Sequence, residues 1–135
     1  MSTASIILAP AVRRAIVAQA RREAPRECCG LLVGQRGRAQ FAAPMDNIAA
    51  SPRRYRIDDA AHIKLRRVLR EFSPRLSIVG VYHSHPAGEA EPSATDIDLA
   101  MYPDWAYVII GLKTRRAAVR AFRIRSGAMR EMKIG

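Results

Sequence analysis

Apolar residues recur along the chain with two periods, about 3.6 residues in some segments and two in others, which predicts alternating helices and strands. A short strand is predicted at residues 6–8. Pro10 suits the first turn of the helix that follows, and Pro25 ends that helix. The apolar residues at helical spacing within it are Val12, Ile16, Val17 and Ala20.

The segment ECCGLLVGQRGRAQFAAPM predicts two strands joined by a glycine-containing turn at residues 35–38. DNIAASPRRY is predicted to be a loop, because Pro52 disfavours a helix there. RIDDAAHIKLRRVLREFSP predicts a second helix, with Asp58 or Asp59 as its cap and Pro74 at its end. The apolar residues near one face of this helix are Ile63, Val68, Leu69 and Phe72.

The third part of the chain contains strands and one short helix. LSIVGVYHSH is mostly apolar, as expected for a buried strand, and SATDIDLAMY predicts a short helix. WAYVIIGL predicts another strand, and AAVRAFRI predicts a last strand that alternates in and out. The order β-α-β-β-α-β-α-β-β favours an α/β or α+β fold with a central sheet, and 135 residues suit a single domain over residues 1–135.

Composition limits the class of protein. Hydrophobic residues make up 49% and charged residues 26%, which is typical of a globular domain. No apolar run approaches the roughly 20 residues that span a bilayer. SIILAPAV has no basic residue ahead of it and is followed by Arg13 and Arg14, so we expect it to be retained rather than removed as a signal peptide.

The cysteines indicate the redox compartment, and the net charge indicates the class of binding partner. Cys28 and Cys29 are adjacent and lack C-x-x-C spacing, so buried free thiols in a reducing cytoplasm are expected rather than a metal site. The net charge of +11 favours anionic partners, which include nucleic acid, an acidic membrane face and an acidic protein.

Two of the three histidines are one residue apart in VYHSHPAGEAEPSATDIDL. On a strand, His83 and His85 project from the same face, as two imidazoles that share a metal ion must. Tetrahedral zinc usually takes three protein ligands and a water, and Asp96 is the leading candidate for the third ligand, with Asp98 as an alternative. A capping box from Ser93 to Asp96 would explain those two residues without a metal, so the residues alone leave both interpretations open.

The wider pattern resembles a known motif. His83-x-His85, seven residues and then Ser93-x-x-Asp96, with Glu27 upstream in ECCGLLVG, is similar to the JAMM motif of the Mov34/MPN/PAD-1 metalloprotease family. APRECCGLLVG, PMDNIAASPRRYRID and VGVYHSHP also resemble that family, in the same order. The resemblance implies an MPN/JAB-like domain of the small prokaryotic type, with a central mixed sheet flanked by helices in cytidine-deaminase-like layers.

The resemblance also implies roles for individual residues. His83, His85 and Asp96 would hold one Zn²⁺, with water in the open position. Glu27 would be the general base, and Ser93 would donate a hydrogen bond to the oxyanion of the tetrahedral intermediate. All five motif residues are present, which favours an active zinc metallopeptidase over a scaffold member or a non-catalytic interaction module.

Members of this type are expected to hydrolyse the peptide or isopeptide bond after the C-terminal Gly-Gly of a ubiquitin-like or sulfur-carrier protein. The chain has no room for the long insertions of eukaryotic relatives, so such a carrier is expected rather than polyubiquitin. The alternative is a RadC-like protein that binds nucleic acid, since HSHPAGEAEPSATD resembles that group and 23 Lys and Arg residues could contact phosphates. The scattered placement of these basic residues favours the peptidase.

Some residues near the motif have weaker claims to function. His62 is expected on the surface of its helix rather than as a fourth ligand. Trp105 and Tyr107 are expected in the core or beside the substrate groove. Glu89 and Glu91, in the loop between the ligands, are expected to be solvated.

Overall fold

The computed structural model describes residues 4–51 and 53–135, and the prediction based on Pro52 lies outside them. This part of the chain contains seven strands and three helices, in the order β1 (Ser5–Leu8), α1 (Pro10–Glu23), β2 (Cys29–Gln35), β3 (Arg38–Met45), α2 (Asp59–Phe72), β4 (Ser77–His85), α3 (Ala94–Leu99), β5 (Ala106–Gly111), β6 (Ala118–Arg125) and β7 (Ala128–Ile134). None of these helices has the length and apolarity needed to cross a membrane.

The strands form one mixed sheet in the order β1-β3-β2-β4-β5-β6-β7. β4 and β5 are parallel, whereas the β2–β3, β2–β4, β5–β6 and β6–β7 pairs are antiparallel. β1 is parallel to both β3 and β7 and closes the sheet. The predicted mixed α+β fold with a central sheet is therefore confirmed, while the closure through β1 was not predicted.

Helices cover both faces of the sheet. On one face, α1 buries Val12, Ile16 and Ala20 in the core. On the other face, Leu65 and Leu69 of α2 pack with α3 against a second cluster. Strands covered on both faces have apolar residues at consecutive positions, which accounts for the continuous apolar runs of β2, β4 and β5.

The prediction that AAVRAFRI is the last strand is wrong, because β7 follows it. Ser126 and Gly127 have φ angles of 50° and 78°, which is the backbone of a two-residue hairpin turn. Most side chains of β7 are exposed apart from Met132, so this strand carries no apolar run. The predicted alternation of β6 is interrupted at one step, since Ala121 faces the α1 cluster and Phe122 faces the α2 cluster, and both are buried.

The apolar face predicted for α2 is mostly wrong. Three of its four residues are exposed: Ile63 (57%), Val68 (42%) and Phe72 (76%). Leu69, the fourth predicted residue, and Leu65 make the contact with the sheet, so α2 packs through a narrow, half-buried stripe. Asp58 occupies the N-cap position as predicted, but its side chain makes no capping hydrogen bond.

Candidate metal centre

The end of β4 is the framework of the site. His83 pairs with Cys29 of β2 and with Ile109 of β5, so its strand is held on both sides. The pairing with β2 continues past the strand, since the Ser84 amide donates to the Cys28 carbonyl at 3.1 Å and the Cys28 amide donates to Ser84 Oγ at 2.8 Å. This extension places Glu27, which precedes Cys28, beside the histidines.

Three ligand atoms meet at the end of β4. The Nε2 atoms of His83 and His85 lie 3.1 Å apart, and each lies 3.1 Å from Asp96 Oδ2. The predicted ligands thus form a triangle with equal sides. Asp98, the alternative ligand, is exposed and makes no contact with either histidine among the described residues.

The N-terminus of α3 orients Asp96. Ser93 and Asp96 form the predicted capping box, in which the Asp96 amide donates to Ser93 Oγ at 3.0 Å and the Ser93 amide donates to Asp96 Oδ2 at 2.9 Å. Because the oxygen that accepts from Ser93 is the one that faces the histidines, capping and metal binding are compatible. The two interpretations of this segment are therefore not exclusive.

These three residues fit a zinc ion. Zinc binds imidazole nitrogen and carboxylate oxygen at roughly 2.0–2.2 Å, so tetrahedral ligand atoms are about 3.3 Å apart, close to the observed separation. His85 Nδ1 lies 2.9 Å from the carbonyl oxygen of Glu89, which can only accept, so Nδ1 carries the proton and Nε2 presents a lone pair. A lone pair and a carboxylate oxygen that converge at this distance are stabilised by a cation between them.

Glu27 lies just behind this triangle. Its carboxylate is within 4.8 Å of the ligand nitrogens of both histidines, but it forms no hydrogen bond or ion pair with them. The side chain is 5% exposed, and Oε1 is buried without a hydrogen-bond partner in residues 4–51 and 53–135. Burial raises the pKa of Glu27 to about 7, although the positive charge of His85 opposes the shift. Such a group can take up a proton near neutral pH.

Without a cation, the pKa values of the three side chains reflect their contacts with one another, and zinc would have to displace a proton from His85 in order to bind. Burial lowers the pKa of His83 and favours its neutral ring. Burial also acts to lower the pKa of His85, but hydrogen bonds to Asp96 and to the Glu89 carbonyl outweigh it and raise that pKa. Burial disfavours the Asp96 carboxylate, yet hydrogen bonds from the two histidines outweigh it and hold the pKa of Asp96 well below its ordinary value.

A cavity of about 760 Å³ begins at Asp96 and runs away from the histidines. It lies between residues 48–50 and 54–57, α2 and the segment that connects α3 to β5. Exposed or half-exposed apolar side chains line it, including Ile48, Leu99, Met101 and Trp105. This shape and lining suit an extended peptide segment.

Aromatic residues form the walls of the cavity. Tyr102 and Trp105 stack with ring centroids 3.7 Å apart, and His62 packs against both rings. His62 Nε2 accepts a hydrogen bond of 2.9 Å from Arg66 Nε, and His62 is not part of the triangle of ligands. Tyr107 is buried and lines the same cavity, so Trp105 and Tyr107 lie beside the groove as predicted.

The loop glutamates pair with basic residues at the surface. Lys113 Nζ lies 3.4 Å from Glu89 Oε1, and Arg120 lies 3.2 Å from Glu91. Both glutamate side chains are exposed, in agreement with the expectation that they are solvated. Only the backbone carbonyl of Glu89 takes part in the site, which no side-chain motif could indicate.

Cys28 and Cys29 are buried and free, as predicted. Burial raises the pKa of the Cys28 thiol to about 11 and that of Cys29 to about 12. Both thiols therefore stay protonated and are poor nucleophiles and poor metal ligands.

Two residues beside the metal ligands were not predicted. Tyr55 stacks on His83, with ring centroids 4.4 Å apart and an interplanar angle of 22°. Asn47 Nδ2 donates to the carbonyl of Glu27 at 3.0 Å. Both lie in PMDNIAASPRRYRID, which the resemblance already included, but nothing in that segment indicates contact with a histidine or a glutamate far away in the sequence.

Comparison with known proteins identifies the family and the fold. A family profile described as prokaryotic homologs of the JAB domain matches residues 9–125. The chain is 42% identical over 120 residues to the CysO-cysteine peptidase of Mycobacterium tuberculosis, covering 87% of this chain and 81% of that protein. It is 33% identical over 125 residues to the desampylase of Haloferax volcanii, covering 87% and 88%. A solution structure of a Desulfitobacterium hafniense protein superposes with a TM-score of 0.86 at 30% identity, covering 96% and 91%.

Proposed function

Since the chain belongs to the prokaryotic JAB-domain family of JAMM/MPN proteins, we propose that it is a zinc metallopeptidase that cleaves after the C-terminal Gly-Gly of a ubiquitin-like or sulfur-carrier protein. The observation that carries this proposal is the convergence of His83, His85 and Asp96 beside the buried, unpartnered carboxylate of Glu27. The proposed unit is one domain that spans residues 1–135.

Each of the five motif residues has its own role in the proposed hydrolysis. Zinc held by His83, His85 and Asp96 would polarise the scissile carbonyl and lower the pKa of the attacking water toward about 7. Glu27 accepts the proton of that water and returns it to the leaving amine. Ser93 Oγ accepts from the Asp96 amide, so the hydroxyl hydrogen of Ser93 remains free to donate to the oxyanion.

The substrate class follows from the relatives and from the cavity. The names CysO-cysteine peptidase and desampylase describe proteins that act on small protein modifiers or carriers. In this chain the cavity beside Asp96 would hold the extended C-terminal tail of such a protein. The net charge of +11 suits an acidic carrier domain.

The test uses purified protein with its metal measured first by elemental analysis. The proposal expects about one zinc per chain and release of a C-terminal cysteine or peptide from fusions that follow a Gly-Gly tail. Glu27→Gln should keep zinc and bind the fusion but lose cleavage. The proposal would be overturned if the purified protein contained no zinc and did not bind zinc that was added to it.

The same preparation tests the nucleic-acid alternative, which the 23 Lys and Arg residues favour. Binding to random duplex DNA with a steep dependence on salt, together with no cleavage of any Gly-Gly fusion, would support the RadC-like function. Cleavage of a Gly-Gly fusion, together with no retention of DNA at moderate salt, would exclude it.

A further inference from the structure

The two histidines of the metal centre are held in different ways. His85 donates from Nδ1 to the Glu89 carbonyl at 2.9 Å, the usual way to fix a metal-binding imidazole. His83 has no equivalent contact, because its Nδ1 is buried and lacks a hydrogen-bond partner in the part of the chain that the structure describes. Something other than a hydrogen bond must therefore orient the ring of His83.

The ring of Tyr55 packs against one face of the His83 imidazole. It lies nearly parallel to the imidazole of His83, at 22° and with 4.4 Å between the ring centroids, whereas His85 meets the same imidazole edge-on at 65°. A stacked ring at this distance restricts rotation of the imidazole about its side-chain bonds. Tyr55 also lines the cavity, so one side chain contacts both a proposed zinc ligand and the space for the substrate.

Asn47 holds Tyr55 against His83. The Asn47 side chain makes four hydrogen bonds: Nδ2 donates to the carbonyls of Glu27 (3.0 Å) and Arg54 (3.1 Å), and Oδ1 accepts from the amides of Ala49 (2.9 Å) and Arg56 (3.0 Å). An asparagine amide has capacity for four such bonds, and all are used. The backbone on either side of Tyr55 is thus tied to the residue that carries the proposed base.

We propose that Tyr55 is a positioning residue that orients His83 for zinc by stacking, and that Asn47 positions both Tyr55 and Glu27. This inference rests on the proposed function, because the orientation of His83 matters to activity only if His83 binds the metal. It extends that function by adding two residues outside the JAMM motif, which act through His83 and Glu27.

The experiment measures zinc affinity by competition with a chromogenic chelator, and ligand geometry by the visible spectrum of the Co²⁺-substituted protein. Tyr55→Phe keeps the stacked ring and should match the original protein in both. Tyr55→Leu should bind zinc about tenfold or more weakly, as expected when support for a ligand is removed, and should change the Co²⁺ spectrum. Tyr102→Leu is the matched control, since Tyr102 lines the same cavity without touching His83.

Asn47→Asp is the second variant, because it preserves shape but removes the two amide donors. It should change the Co²⁺ spectrum and lower kcat more than it raises KM. If Tyr55→Leu does not fold, this variant tests the inference in its place. Unchanged zinc affinity and spectrum in Tyr55→Leu, or equal changes in Tyr102→Leu, would overturn the inference and leave the proposed function intact. Failure of the original protein to bind zinc would instead overturn the proposed function.

Discussion

Glu89 and His85 are joined through the backbone: the Glu89 carbonyl accepts the Nδ1 proton of His85 at 2.9 Å. The loop that carries this carbonyl rests on the end of β5. A Cβ atom at Gly111 would lie 2.5 Å from the Ala90 nitrogen and 2.8 Å from the Glu89 carbonyl carbon. A glycine at this position therefore lets the loop approach closely enough to orient His85.

Gly111→Ala should push this loop outward and weaken zinc binding. Since the new methyl group meets backbone atoms that cannot turn aside, we expect about 1–3 kcal/mol of lost stability and zinc affinity lower by about tenfold or more. Thermal unfolding in a chelator and zinc competition measure the two effects separately.

Gly88→Ala is the control for this loop, because its Cβ would meet only His85 Cβ at an ordinary 3.4 Å. It should leave zinc affinity close to that of the unmodified chain. If Gly111→Ala also left affinity unchanged, the loop would not orient His85.

Metal-free protein should lose stability as the pH rises through 7, because of Glu27. Burial raises the pKa of this carboxyl from 4.5 to about 7, so the folded state favours the protonated form. The resulting stabilisation is complete below pH 4.5 and is lost as the pH rises through about 7. The shift corresponds to about 3 kcal/mol at most.

Glu27→Gln removes this dependence, since an amide does not ionise. In chelator at pH 8 the variant should unfold at a higher temperature than the unmodified protein, and at pH 5 the difference should shrink. Because the Glu27 charge also raises the pKa of His85, the comparison measures the Glu27 carboxyl together with its coupling to His85. Parallel melting curves from pH 5 to pH 8 would contradict the raised pKa.

Asp96→Asn should abolish zinc binding, whereas Asp98→Asn should not. The amide that replaces Asp96 is neutral and a poor zinc ligand, while Asp98 is exposed and away from the histidines. We expect cleavage to fall by at least about 10²-fold in the first variant, in line with the loss of a zinc ligand. Elemental analysis and a cleavage assay check both, and equal zinc content in the two variants would exclude Asp96 as a ligand.

Ser93→Ala should lower both stability and turnover, for separate reasons. Loss of the N-cap side chain costs about 1 kcal/mol of folding free energy, and loss of an oxyanion donor lowers kcat by about 10²-fold with little change in KM. Ser93→Thr keeps the hydroxyl and should retain most of both. A variant that loses stability but keeps its kcat would show that Ser93 only caps α3.

The grouping of the three proposed ligands could be predicted because its geometry is mostly local. His83 and His85 share a face through the two-residue period of a strand, and the capping box defines how Asp96 faces back toward Ser93. Glu27 could be linked to them only through the family resemblance. Its position depends on the register between β2 and β4, which follows from the packing of the whole sheet.

The features that were missed depend on long-range contacts or lack an apolar signal. β7 is exposed along most of its length, so only the Ser126–Gly127 turn indicates it. The narrow, half-buried stripe of α2 depends on how the helix meets the sheet, which periodicity does not determine. Likewise, Tyr55 contacts His83 while Asn47 binds the backbone on both sides of Tyr55, and no spacing in the sequence encodes that contact.

Closure of the sheet has a consequence for how a peptide can bind. Each end strand of an open sheet offers a row of unpaired amides and carbonyls, to which an extended peptide can add as a further strand. In the described chain this closure is partial, because β1 pairs only with Arg38 and Ala39 of β3 and with Lys133 and Ile134 of β7. The outer edge of β3 from Gln40 to Met45 has no strand partner among the described residues, and Met45 pairs with Cys29, the partner of His83. An extended peptide can therefore add to β3 as a further strand, two strands away from the metal centre.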